Sequence, residues 1–241
     1  MTRTRTILVG SLSLLALLVV ALTAIAAAAG LNRGPSRVET VSVADPGVER
    51  AQVHLSPDVA ELVVRALPAG SDALLDGSVA LLPRERLERD VDASGDGRIA
   101  LRARSSFGID VSVRGPRWDL GLSPDVPAAL RIRTGVGDVD LDLRGTKVDR
   151  LDSVADIGRQ TVRLPDHDLT ATLTTDMGRI ELIVPHDADV RVDVGLGLRR
   201  VDADPGFRRS GGSWHLDGDG ATLEVAVRAG MGEVVLRRAP N

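Results

Sequence analysis

From residue 130 onward apolar and polar residues alternate, and the alternation slips by one place at recurring glycines. Ile132, Thr134 and Val136 precede Gly137 at every second position, and Val139, Leu141 and Leu143 follow it in the shifted phase. The same arrangement surrounds Gly178, with Leu173, Thr175 and Met177 before it and Ile180, Leu182 and Val184 after it. A period of two belongs to a strand with one buried face. The slip predicts that two strands meet at each glycine in a corner or bulge, which a residue without a Cβ tolerates. Gly137, Gly158, Gly178 and Gly197 recur about every 20 residues, and Gly232 follows after the inserted stretch "GFRRSGGSWHLDGDG".

A unit of two short strands cannot bury its own apolar face, so successive units are expected to stack with parallel rungs. The predicted fold is all-β: a single-stranded β-solenoid (β-helix) of ~20-residue rungs, preceded by one N-terminal transmembrane helix. Stacking in chain order places Asp138 beside Arg159, Asp142 beside Arg163 and Glu181 beside Arg200, opposite charges on neighbouring strands. Upstream, "AELVVRALPAGSDALLDGSVAL", "GRIALRARS" and "FGIDVSVRG" also alternate and read as degenerate rungs. "PRERLERDVD" is expected to form a brief helical turn at most.

The uncharged segment Ile7–Leu31 exceeds the roughly 20 apolar residues of a membrane span. Arg3 and Arg5 favour a cytoplasmic stub, residues 1–6. The small residues Ala26–Gly30 keep a cleaved signal peptide open as the alternative. Either reading places the remainder outside the cytoplasm: a polar linker, Asn32–Arg37, and one extracytoplasmic domain, Val38–Asn241. The expected location is therefore the cytoplasmic membrane, crossed once.

Composition narrows the function. A formal net charge of −4 gives no support for a nucleic-acid partner. The absence of cysteine excludes disulfides, thiolate chemistry and a lipoprotein attachment site. Aromatic residues, at 2%, are scarce for a sugar-binding groove.

Candidate chemistry is sparse. In "DASGDGRI", Asp92, Ser94 and Asp96 have the ligand spacing of a calcium loop, with Gly97 at its sharp turn and Ile99 at its apolar position. The twelfth position is Ala103 rather than glutamate, which favours an ordinary hairpin turn. His167 and His186 follow prolines at equivalent corners, where stacking would bring them near Asp166, Asp168 and Asp187; zinc ligation and a polar turn are the two readings. His54 and His215 read as isolated surface residues. No serine lies in a Gly-x-Ser-x-Gly elbow. The acids of "DVDLD" alternate outward instead of pairing for glycoside cleavage. Gly135-x-Gly137 leads into a strand, not a helix N-terminus, so it is a structural corner and not a phosphate loop. Trp118 and Trp214 read first as packing or capping residues, with a sugar platform second. No catalytic, cofactor-binding or metal-ligating residue is assigned, and no enzyme is expected.

Trp118, the segment Leu120-x-Leu122-x-Pro124, Leu130-x-Ile132 before Gly135-x-Gly137, and the corners Gly158–Pro165 and Gly178–Pro185 together resemble the toast-rack family of bacterial envelope proteins, which includes the LiaF-like extracytoplasmic module. The resemblance covers residues 117–240 and extends back to Val38. It implies a β-solenoid on a membrane anchor, no catalytic residues, and a binding or scaffolding role in the envelope linked to its stress response. Implied partners are the membrane, through the N-terminal helix, and other envelope or membrane proteins. The chain departs from LiaF-like members in having one apparent membrane segment instead of several. A self-assembling structural protein and a carbohydrate-active β-helix enzyme remain the alternatives.

Overall fold

The computed structural model describes residues 37–92, 96–105, 116–195, 197 and 200–240. The expected anchor Ile7–Leu31, the linker up to Ser36 and the strand expected at Phe107–Gly115 lie outside them. Among the described residues no helix is long and apolar enough to cross a membrane.

Every regular element described is a strand. The first seven are β1 (Arg37–Ala44), β2 (Ala51–Ser56), β3 (Glu61–Ala66), β4 (Ala73–Leu81), β5 (Glu85–Asp92), β6 (Gly97–Ser105) and β7 (Arg117–Leu122). The middle of the chain gives β8 (Ala128–Val136), β9 (Val139–Asp142), β10 (Val148–Arg163) and β11 (Leu169–Val184). The last are β12 (Asp189–Val194), β13 (Arg200–Ala203), β14 (Arg208–Ser210), β15 (Ser213–Leu216) and β16 (Thr222–Arg238). All sixteen join one mixed sheet.

A parallel ladder forms its spine. One half runs β6–β2–β8–β10–β11–β16–β12 and the other β7–β3–β9–β10–β11–β16–β13. β10, β11 and β16 belong to both halves because each continues through its glycine. The inward side chains of both halves form one apolar core, with Leu130, Ile132 and Leu151 from the first half and Leu141, Val162 and Leu182 from the second. A buried polar bridge crosses it: Ser153 Oγ donates to Gln160 Oε1 at 2.7 Å, and Gln160 Nε2 donates to the Thr174 carbonyl at 2.6 Å.

The glycines stack in a column. Gly158 stands opposite Gly178, and Gly178 opposite Gly232. Their φ angles are 146°, 152° and 156°, and that of Gly137 is 145°, a region L side chains rarely enter. A methyl group on Gly158 would lie 1.8 Å from the Gly137 carbonyl oxygen, one on Gly178 1.8 Å from that of Gly158, and one on Gly232 1.7 Å from that of Gly178. The phase slip in the sequence is thus a backbone corner without room for Cβ. At Gly137 the corner separates two strands, as expected. At the next three levels one strand of 16 or 17 residues runs through it.

The levels do not follow chain order. β16, with Gly232, lies between β11 and the pair β12/β13. Consequently Glu181 faces Val235, and it is Glu233 that stands opposite Arg200, overturning the expected Glu181–Arg200 match. The physical reason is length: β16 matches β11 residue for residue, whereas β12 and β13 are six and four residues long. The long strand takes the position where both edges are paired. The inserted stretch carries β14 and β15, which continue the sheet antiparallel beyond β12 before the chain returns. The opposite end is similar. β6 and β7 lie outside β2 and β3, and antiparallel β5 and β4 cover them. The segment expected to make a helical turn is β5, because eight residues pair with β6 and Leu87 packs on the core. β1 pairs antiparallel outside β4, and charged β5 and β14 and the short β13 blunt the remaining edges against further pairing.

Two charge matches hold in register, with different partners. Asp138 accepts the Arg159 backbone N–H at 3.1 Å. Asp142 stands opposite Arg163, but Arg163 donates to Asp140 at 2.5 Å, and Asp142 takes Arg144 at 2.6 Å. The Arg144 hydrogen bond holds the Asp142 carboxyl below its ordinary range.

Gly158→Ala is expected to lower unfolding free energy by about 3–5 kcal/mol, because backbone at two levels must shift. Gly47→Ala, at φ 88° with nothing within 4 Å, tests φ alone and should cost about 1 kcal/mol. Equal losses in denaturant titrations would contradict the stacked corner.

Candidate ligand-binding face

In a strand, every second side chain points away from the core. On the first half of the ladder those positions are unusually cationic at one end. β6 presents Arg98 and Arg102, β2 presents Gln52 and His54, β8 presents Ala129, Arg131 and Arg133, and β10 presents Arg150 and Asp152. Gln52 stands between Arg98 and Ala129, and Arg150 is opposite Ala129 on the other side. Ala129 is short, so the surface dips there between longer neighbours. The dip is a shallow cavity of ≈ 350 Å³ bordered by Arg98, Arg131, Arg150, His54 and Asp152.

Arg98, Arg102, Arg131, Arg133 and Arg150 thus flank Asp152 on this face, while Arg104, further along β6, pairs with Glu88 of β5 at 3.1 Å. Arg131 Nε reaches Asp152 at 3.2 Å. Arg102, Arg133 and Arg150 form no ion pair among the described residues. Acids of β5 border the face on one side, with Asp92 opposite Arg98 and Glu88 opposite Arg102. His54 reports the local potential: burial, then Arg131, Arg102 and Arg98, lower its pKa below 6.5, and Asp152 opposes them.

A second surface runs along the corner. Val136, Ile157, Met177 and Met231 share one register column immediately before the stacked glycines. Each is about half exposed: 46%, 47%, 46% and 51%. The glycine turns the backbone inward, so the preceding side chain points outward whatever its polarity. Asp156 and Asp176, also exposed, accompany this ridge.

The residues singled out in the sequence fall elsewhere. Asp92 ends β5 and Gly97 begins β6, so "DASGDGRI" spans an antiparallel connection rather than a helix pair; Ala93–Gly95 lie outside the described residues. His167 and His186 have different partners. His167 Nε2 lies 3.0 Å from the Val148 carbonyl, and His186 Nε2 lies 3.2 Å from the guanidinium of Arg238, an arrangement that disfavours a cation there. Asp168 accepts the Thr222 N–H at 2.9 Å. Trp118 is 0% exposed in the core and offers no platform; Trp214 is half-buried on β15 against the core. His215, on β15, faces Arg191 and Arg208 across the two flanking strands.

The sequence does not announce the arginine face. "GRIALRARS" and "LRIRT" do show arginine at alternate positions. Their meeting depends on β2 lying between β6 and β8, an order that no local pattern encodes.

The model of the N-terminal domain of toast_rack, DUF2154, matches residues 32–183. No curated protein sequence matches the chain. The structure is similar to that of a "putative cell adhesion protein" from Clostridium sporogenes, with a TM-score of 0.74 and 18% identity over 84% of this chain and 99% of the other. A "putative adhesin" from Bacteroides fragilis aligns at a TM-score of 0.28 and 7% identity, over 85% of this chain and 99% of the other, too remote to bear on the fold.

His54 is expected to titrate below 6.5 in an NMR pH series, and Arg131→Gln should raise its midpoint. The sign follows from removing a nearby cation and leaving Asp152 to favour the imidazolium. A midpoint unmoved by the substitution would show that the face carries no concentrated positive potential.

Proposed function

The chain belongs to the toast-rack family, and from that premise we propose that it is a non-enzymatic, extracytoplasmic binding module of the cell envelope. In this reading Ile7–Leu31 holds it on the outer side of the cytoplasmic membrane, and the ladder is a two-faced solenoid whose outward side chains meet the partner. The observation that carries the reading is that arginine face, a cationic surface displayed on the outward side of the ladder. The shared fold with a protein described in terms of cell adhesion supports a binding role. Burial of Trp118 argues against the carbohydrate-active alternative. The charged antiparallel strands β5 and β14 and the four-residue edge strand β13 argue against open-ended self-assembly.

With Ile7–Leu31 held in the membrane, the tethered domain meets a restricted set of partners. Partners within reach are membrane proteins, lipid headgroups and wall polymer, and tethering raises their effective concentration without new contacts.

Protease treatment of intact spheroplasts should digest the strand domain while protecting Met1–Thr6. Mass spectrometry should find an uncleaved N-terminal segment. A mature chain beginning near Gly30 would replace the anchored module with a secreted one, and a protected domain would overturn the extracytoplasmic placement.

A further inference from the structure

We propose that the arginine face is a binding site for a linear polyanion whose charges are phosphate or carboxylate oxyanions. The inference rests on the reading of this chain as a binding module and names the class of its ligand. Arg98 on β6 and Arg150 on β10 are separated by three strand spacings, about 14 Å at ~4.8 Å each. They lie at opposite rims of the dip floored by Ala129, with Arg131 two residues along β8 from Ala129 and Arg102 and Arg133 further along their strands. One small oxyanion cannot span that distance. An extended chain carrying several charges can, with one anionic group beside Arg98 and another beside Arg150.

The chemistry of the donors fits. A guanidinium offers a planar fork of N–H groups that matches the two oxygens of a carboxylate or phosphate, and it stays charged at any physiological pH. Gln52 stands between the two rims and adds an amide donor. The ligand's shape is limited by what borders the face. Exposed Glu88, Asp90 and Asp92 of β5 lie along one side, and on the other the arginine excess ends at the threonines of β11, beyond which Glu224 and Asp193 stand with Arg191. A flat anionic bilayer pressed on this face would meet the acids of β5, whereas a narrow chain running from β6 to β10 can avoid them. The low aromatic content is no obstacle, because recognition here uses charge and not ring stacking.

The test is a titration of the full-length protein, in neutral detergent, with polyphosphate and with polygalacturonate, each at low and high salt. Both polymers, or one of them, should bind with an affinity that falls as salt rises. Binding of only one identifies phosphate or carboxylate as the natural charge. Arg98→Gln combined with Arg150→Gln should weaken binding at least about tenfold. Arg209→Gln, on the distant β14, removes a charge and should leave binding unchanged. All three positions are exposed, and a thermal melt of each variant confirms that it is folded. Bound polyanion should also raise the NMR midpoint of His54. Around that imidazole lie Arg98 and Arg102 of β6, Arg131 of β8 and Asp152 of β10, and an added anion offsets the cations.

Several results would overturn the proposal: no binding of either polymer, equal binding by the double variant, orthophosphate binding as tightly as its polymer, or binding only to micelles containing phosphatidylglycerol. None of these bears on the placement of the domain, which the spheroplast experiment tests separately.

Discussion

The close approach of each corner glycine to the carbonyl of the level beneath it is the constraint from which the rest of this structure follows. Ala60, Gly137, Gly158, Gly178 and Gly232 stack backbone on backbone, with less than 2 Å available where a Cβ would sit. Such a column fixes register as well as spacing. A strand that slipped by one residue would bring a side chain into the column and turn its apolar face to water. The fixed register then aligns Leu151 with Leu130 and Ala171 inside the core, and Ile157 with Val136 and Met177 outside it. The apolar ridge at the corner and the core are two products of one backbone requirement.

Length decides which strand occupies which level. The strands that run unbroken through their glycines, β10, β11 and β16, lie together at the centre of the ladder, where both edges are paired. The divided levels lie toward the ends: β8 with β9, β2 with β3, and β12 with β13. Antiparallel strands continue the sheet at the ends, β5 and β4 with β1 on one side and β15 with β14 beyond β12 on the other. Gly197 shows the loosening near an end, since a methyl group there would meet Ala229 at 3.1 Å instead of under 2 Å.

Much of this is legible in the sequence. Alternation around Gly137 and Gly178 encodes the strands, the buried faces and the glycine corners, because those features depend on neighbours along the chain. Register between adjacent levels follows for β9, β10 and β11, where the repeats are consecutive. Order is not legible: consecutive stacking pairs Glu181 with Arg200, whereas β16 intervenes. The same limit hides the arginine face, whose members come from residues 98–102, 131–133 and 150 and meet only through a non-consecutive order. β5 escapes a local reading because "PRERLERDVD" carries the composition of a helix while its partner β6 supplies a complete antiparallel ladder.

The functional reading therefore depends on one topological fact, that β2 separates β6 from β8 and spreads the arginines around Ala129. The chain has no cysteine, so introduced pairs can report adjacency on a clean background. Gln52→Cys with Ala129→Cys places two thiols on neighbouring strands in register, within the ~4.4–6.8 Å Cα separation a disulfide needs. Arg98→Cys with Ala129→Cys places them two strands apart, about 9.6 Å, too far to bridge. Under mild oxidation the first pair should form a disulfide, visible as an intact-mass loss of two hydrogen atoms, and the second should not. The reverse outcome, a bridge in the second pair alone as stacking in chain order would give, would contradict the interleaved ladder and the arginine face built on it.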